Sequence, residues 1–501
     1  MLFYRRTIRL YLEGNNMAIP QEIKDLRPKN LNHATEVRCS NGHYYVYEIT
    51  SVWDANKKKA KKKTLHCVGS ISNNKFIPNK YYMMTYQNFN ATYTTKNYGA
   101  LAMFRQLGTD IENKLEEFFP DIYRQLITIS LLCLVYKTSG KEMRYNYLQS
   151  YLCNVYPDLA LSADALQKFF NSFGARVDTM KAYMKSYVTP GTKLLFDGTS
   201  IFCSSKDSYL RPGYNKEHSL DPQYKLLYVF DKSNQQPIYY KLIPGSVPDT
   251  NSFKDVLNEL QLKESIIIGD KGFASNVNIN LLQEAGLNYI LPLRDNTKKI
   301  PKEFEEELDL HKKFDGHFVY KKRLIWFKVI KQEKSSNWIY IFWDQFRAFE
   351  MDSNYVEKQE KHYEDVEEGF DGFFKNKRRG IISFVSNTKL EAQEVYLDYK
   401  ERWHIENCFD YMKNNVTSKM GFKRSNEQIE ALSFINHLAT LYFYKLIRAI
   451  DNAGLKDKYT PDEVIQHGKN ILKITDNHDN EKVSELSKED VKLISALGIS
   501  L

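Results

Sequence analysis

Four residues of types that contact phosphate or bind metal lie at fixed spacing late in the chain. The segment Tyr399-Lys-Glu-Arg402-Trp-His-Ile-Glu406 continues to Lys413 and reads Y-x2-R-x3-E-x6-K. At about 100° of turn per residue, these four side chains fall within roughly 60° of one another on a helix. Such a face suits phosphate contact and offers one candidate metal ligand. The alternative is a surface helix on which Arg402 and Glu406 form an ordinary i,i+4 pair.

This spacing resembles the signature of the DDE transposases of bacterial insertion sequences, in the IS-four-type superfamily. The resemblance implies two aspartates, each just after a buried strand and well ahead of the glutamate. Both are present in Lys193-Leu-Leu-Phe-Asp197, which leads into a Gly/Thr/Ser turn, and in Ser265-Ile-Ile-Ile-Gly-Asp270. Asp270 and Lys271 also resemble the family's D-[KR]-G-[FY] box. Taken singly, either aspartate would fit a turn or a helix cap.

Three carboxylates in this order are suited to metal-assisted phosphodiester chemistry. Cleavage and transfer need an activated oxygen nucleophile and a stabilised leaving oxygen, which two divalent cations about 4 Å apart can provide. Hard cations such as Mg²⁺ bind carboxylate oxygens. By the resemblance, Asp197 would bridge two Mg²⁺ ions, Asp270 would hold one and Glu406 the other, and Mn²⁺ would be able to substitute. The six cysteines contain no C-x2-C pair, so no zinc motif competes.

Charge agrees with a nucleic-acid partner. The chain has 71 Lys+Arg against 62 Asp+Glu, a net charge of +9 and a pI near 8.8. Six lysines cluster between two strand-like runs, residues 43–49 and 64–71: Lys57, Lys58, Lys59, Lys61, Lys62 and Lys63. The cluster is either a solvated loop or the basic tip of a hairpin that contacts DNA phosphates.

Two further regions hold candidate DNA contacts. Residues 213–223 resemble the family's loop ahead of the second core strand, and Lys216, His218 and Gln223 are expected to approach DNA. A plain turn-forming loop fits that segment equally well. Farther on, Trp326 and Trp343, or Trp338, are candidates to stack on a base near the scissile bond, as in relatives that form DNA hairpin intermediates. Alternating aromatics also form the core of a small sheet.

Strand and helix patterns from residue 191 onward follow the order of an RNase H-like, retroviral integrase-type core. Residues 194–196, 224–230 and 237–243 read as three successive strands, followed by a helix over 250–262 and a fourth strand over 266–268. A helix over 276–285 and a fifth strand from Asn288 come next. In the fold that this resembles, the first and fourth strands are neighbours, which would bring Asp197 and Asp270 together.

The whole chain is expected to be a multidomain α/β protein, because 501 residues exceed the size of one domain. The expected regions are a basic β-rich DNA-binding region at 1–90, a helical DNA-binding region at 91–190, the first part of the core at 191–300, a β-strand insertion domain at 301–380, the second part of the core with the Glu406 helix at 381–450, and a helical tail at 451–501.

The resemblance implies a transposase that binds the terminal inverted repeats of its element, cuts the DNA and joins the freed 3′ hydroxyl to target DNA. Its expected partners are double-stranded DNA and a second copy in a synaptic homodimer. Two alternatives remain, an RNase H-like nuclease without strand transfer and a non-catalytic DNA-binding regulator. No signal-peptide pattern or membrane-length apolar run is seen, and the cysteines are unpatterned, so a bacterial cytoplasmic location near the nucleoid is expected.

Overall fold

A computed structural model gives the architecture of the chain. It describes residues 19–29, 31–54, 57–86, 93–202, 211–212, 222–245, 249–295, 297–305, 310–333, 335–362, 378–412, 425–476 and 479–501. The chain divides into two compact units, one formed by Met1–Thr94 with Thr475–Glu481 and the other by Thr95–Ile474 with Lys482–Leu501.

The first unit is a small antiparallel sheet with two short helices. Its elements are α1 (Gln21–Asp25), β1 (Ala34–Ser40), β2 (His43–Asp54), β3 (Lys59–Ser72), β4 (Lys75–Pro78) and α2 (Lys80–Thr85). The strands are paired in chain order. Val37, Val46, Val68 and Ile71 form its buried core. The two strand-like runs on either side of the lysine cluster therefore form the hairpin that the sequence predicted.

The second unit begins with a helical part. Its elements are β5 (Thr94–Asn97), α3 (Gly99–Leu107), α4 (Thr109–Phe118), α5 (Tyr123–Tyr136), α6 (Met143–Gln149), α7 (Leu152–Val155), α8 (Ala163–Gly174) and α9 (Val177–Lys185). α5 carries an apolar run that is buried over Leu126–Val135, as its composition predicts. α8 begins at the Ser162 cap, whose side chain accepts a hydrogen bond from the Ala165 N–H.

The central sheet starts with three antiparallel strands and then adds two parallel ones. Its first elements are β6 (Lys193–Phe202), β7 (Arg211–Pro212), β8 (Pro222–Asp231), β9 (Gln236–Pro244), α10 (Asp249–Leu260), β10 (Ile266–Ile268), α11 (Asn276–Glu284) and β11 (Asn288–Pro292). The five strands that the sequence predicted for this stretch lie in the spatial order β9-β8-β6-β10-β11. The strands and helices predicted for this stretch are all present.

The aromatic strands that follow extend the same sheet. They are β12 (Gly316–Tyr320), β13 (Arg323–Lys331) and β14 (Trp338–Asp344), followed by α12 (Gln345–His362) and β15 (Ile381–Ser386). β14 pairs with β15, which in turn pairs with β11, so one sheet runs from β12 to β8. The sequence pattern identified the strands, but their continuity with the core sheet depends on contacts between distant segments.

The Glu406 region and a long buried helix cover this sheet. The remaining elements are α13 (Ala392–Lys400), α14 (Trp403–Tyr411), α15 (Asn426–Asn452), α16 (Pro461–Lys469), β16 (Leu472–Thr475), β17 (Glu481–Val483) and α17 (Lys488–Ala496). Gly174 ends α8 so close to α15 that a Cβ there would lie 1.7 Å from the Glu427 carbonyl oxygen. His437 of α15 bonds the Tyr228 hydroxyl at 2.9 Å, which ties α15 to β8.

Three local expectations were wrong. The region 451–501 is not helical throughout, because it includes the strands β16 and β17. Asp197 does not lead into a turn, because β6 continues through it to Phe202 and every residue from 197 to 202 pairs with β8. The Tyr399 segment is not one continuous helix either, since it breaks into α13 and α14 at Glu401 and Arg402. No helix among the described residues is long and apolar enough to cross a membrane.

Candidate active site

The two aspartates lie at the same level on neighbouring strands. β6 and β10 run parallel, and Leu195 is paired with Ile268. Asp197 and Asp270 each follow their paired residue by two positions, so strand periodicity directs both side chains to one side of the sheet. Asp270 begins a short 3₁₀ turn, while Asp197 remains within its strand. The predicted convergence of these two residues is therefore present in the structure.

A single guanidinium joins both aspartates to Glu406. Arg402 donates from Nη1 to Asp270 Oδ1 at 2.8 Å and from Nη2 to Asp197 Oδ2 at 3.0 Å. Nη2 also donates to Glu406 Oε1 at 3.2 Å. The Arg402 side chain is 12% exposed and that of Asp197 is 14% exposed. A charge this well enclosed is stabilised mainly by its partners, and here all three candidate metal ligands serve as partners.

The three carboxylates differ in their access to solvent. Asp270 is 44% exposed and Glu406 is 62% exposed, whereas Asp197 lies deep and its Oδ1 accepts the Gly198 N–H at 2.8 Å. The site is thus closed at Asp197 and open on the side of Glu406.

Tyr399 helps to hold the guanidinium. Arg402 Nη1 lies 3.3 Å from the Tyr399 hydroxyl, and its Cζ lies 5.5 Å from the centre of the ring. The ring also packs 4.6 Å from Phe384 of β15. Burial raises the pKa of the Tyr399 phenol, against the opposing effect of Arg402. Burial alone would lower the pKa of Arg402, but Asp197, Tyr399 and Asp270 raise it above its usual range.

The helix break places Arg402 at the start of α14. The Arg402 N–H bonds the Tyr399 carbonyl at 3.1 Å, and the Ile405 N–H bonds the Arg402 carbonyl at 3.0 Å, so this turn has i→i+3 geometry. Tyr399, Arg402 and Glu406 still converge, as the spacing predicted for one face. Lys413 lies outside the described residues.

A buried carboxylate that sequence analysis missed anchors α13 beneath the site. Asp398 is 2% exposed and receives Lys193 Nζ at 2.6 Å. Lys232, which follows β8, contacts the other oxygen of the same carboxylate. Asp398, the residue before Tyr399, therefore ties α13 to the first residue of β6 and to the residue that follows β8. Asp398 and Lys193 are 205 residues apart in sequence, and no local pattern signals such a contact.

The other predicted DNA-contact residues are found in varied surroundings. Lys271 forms an ion pair with Asp295 at 2.9 Å beside the site. Gln223 was expected on a loop that approaches DNA, and this was wrong. It lies in β8, where it is paired with Phe202 and fully buried. Lys216 and His218 lie outside the described residues. All six clustered lysines are exposed in the first unit.

The tryptophans of the β12–β14 segment divide into two kinds. Trp338 and Trp343 pack against the hydrophobic core, and Trp343 stacks on Phe314 at 6.4 Å. Trp326 is half-buried like the other two, but it is not among the residues packed against that core, and its ring lies 4.9 Å from that of His317. Of the three, Trp326 is therefore the better placed to meet a ligand from outside.

The donor set fits a divalent cation in chemistry, although not in its present geometry. Asp197, Asp270 and Glu406 supply hard oxygen ligands, and the shared guanidinium marks the point where positive charge is stabilised. Within the described ranges, no three acidic, histidine or cysteine side chains are grouped so that they would hold a metal ion. A cation could reach all three carboxylates only if Arg402 moved from between them.

Comparison with known families identifies the class of protein. A model described as the transposase DDE domain matches residues 189–441, which include Asp197, Asp270 and Glu406. The chain belongs to this family of DNA-transposing enzymes. No curated protein sequence matches the chain.

Solved structures give weaker similarities. The synaptic complex of piggyBac transposase with hairpin DNA is 13% identical and matches 74% of this chain and 79% of that chain, with a TM-score of 0.36. The Mos1 transposase paired-end complex with the left transposon end is 15% identical and matches 32% of this chain and 56% of that chain, with a TM-score of 0.15.

Proposed function

We propose that this chain is an IS-four-type transposase that binds the terminal inverted repeats of its element, cleaves the DNA and joins the 3′-OH ends to target DNA. The observation that carries the proposal is the convergence of Asp197, Asp270 and Glu406 on one guanidinium. These residues come from two neighbouring strands and a helix far apart in sequence. A surface ion pair between Arg402 and Glu406 alone would not include two aspartates from the sheet.

The catalytic core is, in this proposal, RNase H-like. The supporting observation is the strand order β9-β8-β6-β10-β11, with three antiparallel strands followed by two parallel ones. The first and fourth of these strands are adjacent, as that fold requires. β12, β13 and β14 would form the insertion between Asp270 and Glu406, and residues 1–90 and 91–190 would recognise the element's ends.

Asp197, Asp270 and Glu406 would hold two Mg²⁺ ions, for which Mn²⁺ would substitute. Bound in this way, the cations would supply an activated oxygen nucleophile and a stabilised leaving oxygen. Arg402 would then turn outward, where a guanidinium can donate two parallel hydrogen bonds to a phosphate. Tyr399, Lys271 and Lys413 lie in or near the same sequence motifs and would contact the same DNA.

The partners in this proposal are double-stranded DNA and a second copy of the chain in a synaptic homodimer. The exposed lysine cluster, together with Lys216 and His218, would add further phosphate contacts. The protein would act in the bacterial cytoplasm, on the nucleoid.

Strand joining is the activity that separates a transposase from a plain nuclease. The full chain, incubated with Mg²⁺, a DNA fragment carrying one element end and a circular target plasmid, is expected to give covalently joined products. Sequencing of the junctions should show the fragment's 3′ end attached to target DNA. Cleavage without joined products would favour the nuclease alternative, and binding without cleavage would favour a regulator.

Trp326 is expected to matter if the ends are resolved through DNA hairpins. Trp326→Ala should nick DNA normally but stall before the double-strand break, because an unstacked base loses its platform. Denaturing gels of the cleavage intermediates measure this. Trp343→Ala is the matched control, since it should lower the melting temperature through lost core packing. Normal double-strand cleavage by Trp326→Ala would exclude the stacking role.

A further inference from the structure

The outer part of the β2–β3 hairpin extends beyond the core of the first unit. We call this part, residues 50–54 and 57–64, the arm. Its strands are paired from Thr50 with Lys63 to Asp54 with Lys59. The buried core residues of β2 and β3, Val46, Val68 and Ile71, all lie outside the arm. Val52 and Trp53, on opposite faces, are 48% and 66% exposed. A two-stranded ribbon with both faces exposed gains little stability from burial, so packing within the chain does not account for the exposed apolar side chains of the arm.

The arm carries positive charge on both faces. Cross-strand pairing places Lys59, Lys61 and Lys63 on one face, beside Val52. Lys62 lies on the opposite face with Trp53, and it contacts Glu36 at 3.2 Å. Lys57 and Lys58 lie in the turn and are exposed. Three lysines share the first face with Asp54, and the second face has Lys62, so cations are available to negative charge on either side of the ribbon.

We propose that the arm enters the major groove of duplex DNA with its turn foremost. Lys59, Lys61 and Lys63 would then face one phosphate backbone and Lys62 the other, while Trp53, close to the turn, would reach the base edges. This inference rests on the proposed function, because it takes DNA as the substrate. The major groove is about 12 Å wide and admits a two-stranded β-ribbon, whereas the minor groove is about 6 Å wide.

Trp53 adds a contact that is not electrostatic. An indole buries a large apolar area, and apolar side chains in the major groove contact the thymine methyl group. Trp53 is paired with Ala60, a small neighbour that leaves the indole uncovered on its face. The arm would thus combine salt-dependent affinity from its lysines with salt-independent affinity from its tryptophan.

Binding of the full chain to a labelled mixed-sequence duplex, followed by fluorescence anisotropy across a potassium chloride series, tests the arm. The triple variant Lys59→Gln, Lys61→Gln, Lys63→Gln should flatten the dependence of log affinity on log salt by up to about 0.9 per lysine. Trp53→Ala should weaken binding roughly tenfold at every salt concentration with the slope unchanged. Methyl green, a major-groove ligand, should displace the wild-type chain, and distamycin, a minor-groove ligand, should not.

Matched controls come from the same unit. Lys75→Gln and Ile77→Ala alter exposed residues of β4 outside the arm, so they should leave affinity and slope near wild type. All variants should keep the wild-type melting temperature. Wild-type slopes in the triple variant, displacement by distamycin alone, or preferential binding to phosphatidylglycerol vesicles would each overturn the proposal. If the arm variants bind DNA as Lys75→Gln does and still cleave it, the role of the arm is refuted and the proposed function stands. If the wild-type chain binds no duplex, both are refuted.

Discussion

Arg402→Ala is expected to lower DNA cleavage by about two to three orders of magnitude, the usual cost of losing one enclosed donor at a reacting centre. In the structure, the Arg402 guanidinium is the group that all three carboxylates share. Its removal leaves Asp197 enclosed without a cation, beside two other negative charges. The variant also lacks the donor that would contact the phosphate.

The same substitution should make stability depend on divalent cations. Without them, we expect the unfolding free energy of Arg402→Ala to fall by about 1 to 3 kcal/mol, less than for a fully buried pair because Asp270 and Glu406 are partly exposed. Added Mg²⁺ should raise the melting temperature of the variant more than that of the wild type. Thermal unfolding with and without Mg²⁺ measures this difference.

Arg402→Lys is the matched control for charge. It keeps one positive charge but loses the planar fork that bridges two carboxylates, so cleavage should be intermediate. Equal melting temperatures of the wild type and Arg402→Ala in EDTA, together with equal responses to Mg²⁺, would contradict the role of Arg402 as the cation that these carboxylates share.

Much of this site could be predicted from the sequence because its signals are local. The β-branched run Ile266–Ile268 identifies a buried strand, and Asp270 follows it after a single glycine. The spacing of Tyr399, Arg402 and Glu406 predicted that their side chains lie close together, and in the structure Arg402 contacts both of the others. Pairing of β6 with β10 then brought Asp197 beside Asp270.

The parts that could not be predicted depend on distant contacts. β6 runs on to Phe202 because β8 supplies its hydrogen-bond partners, and the Gly198-Thr-Ser segment by itself resembles a turn. Nothing in the residues around Glu401 signals the helix break, since neither glycine nor proline is present there. Gln223 is polar and follows a proline, yet pairing within the sheet buries it.

Of the single substitutions considered, Glu406→Gln is expected to lower DNA cleavage the most. Glutamine keeps the size of the side chain but removes the negative charge that would hold a divalent cation. Cleavage should therefore fall by several orders of magnitude, while binding to DNA ends should survive, because the lysines and Arg402 remain. Glu406 is 62% exposed, so its substitution should cost little folding stability.

Magnesium-dependent cleavage of element-end DNA by Glu406→Gln, measured beside Glu401→Gln, decides whether the three carboxylates are catalytic. Glu401 lies in the same helix break and contacts Lys232 at 3.3 Å, where it serves as a charge-matched control. Glu401→Gln is expected to cleave at a near-wild-type rate and Glu406→Gln hardly at all, while both bind DNA equally well. Near-normal cleavage by purified Glu406→Gln would contradict the catalytic assignment of the three carboxylates.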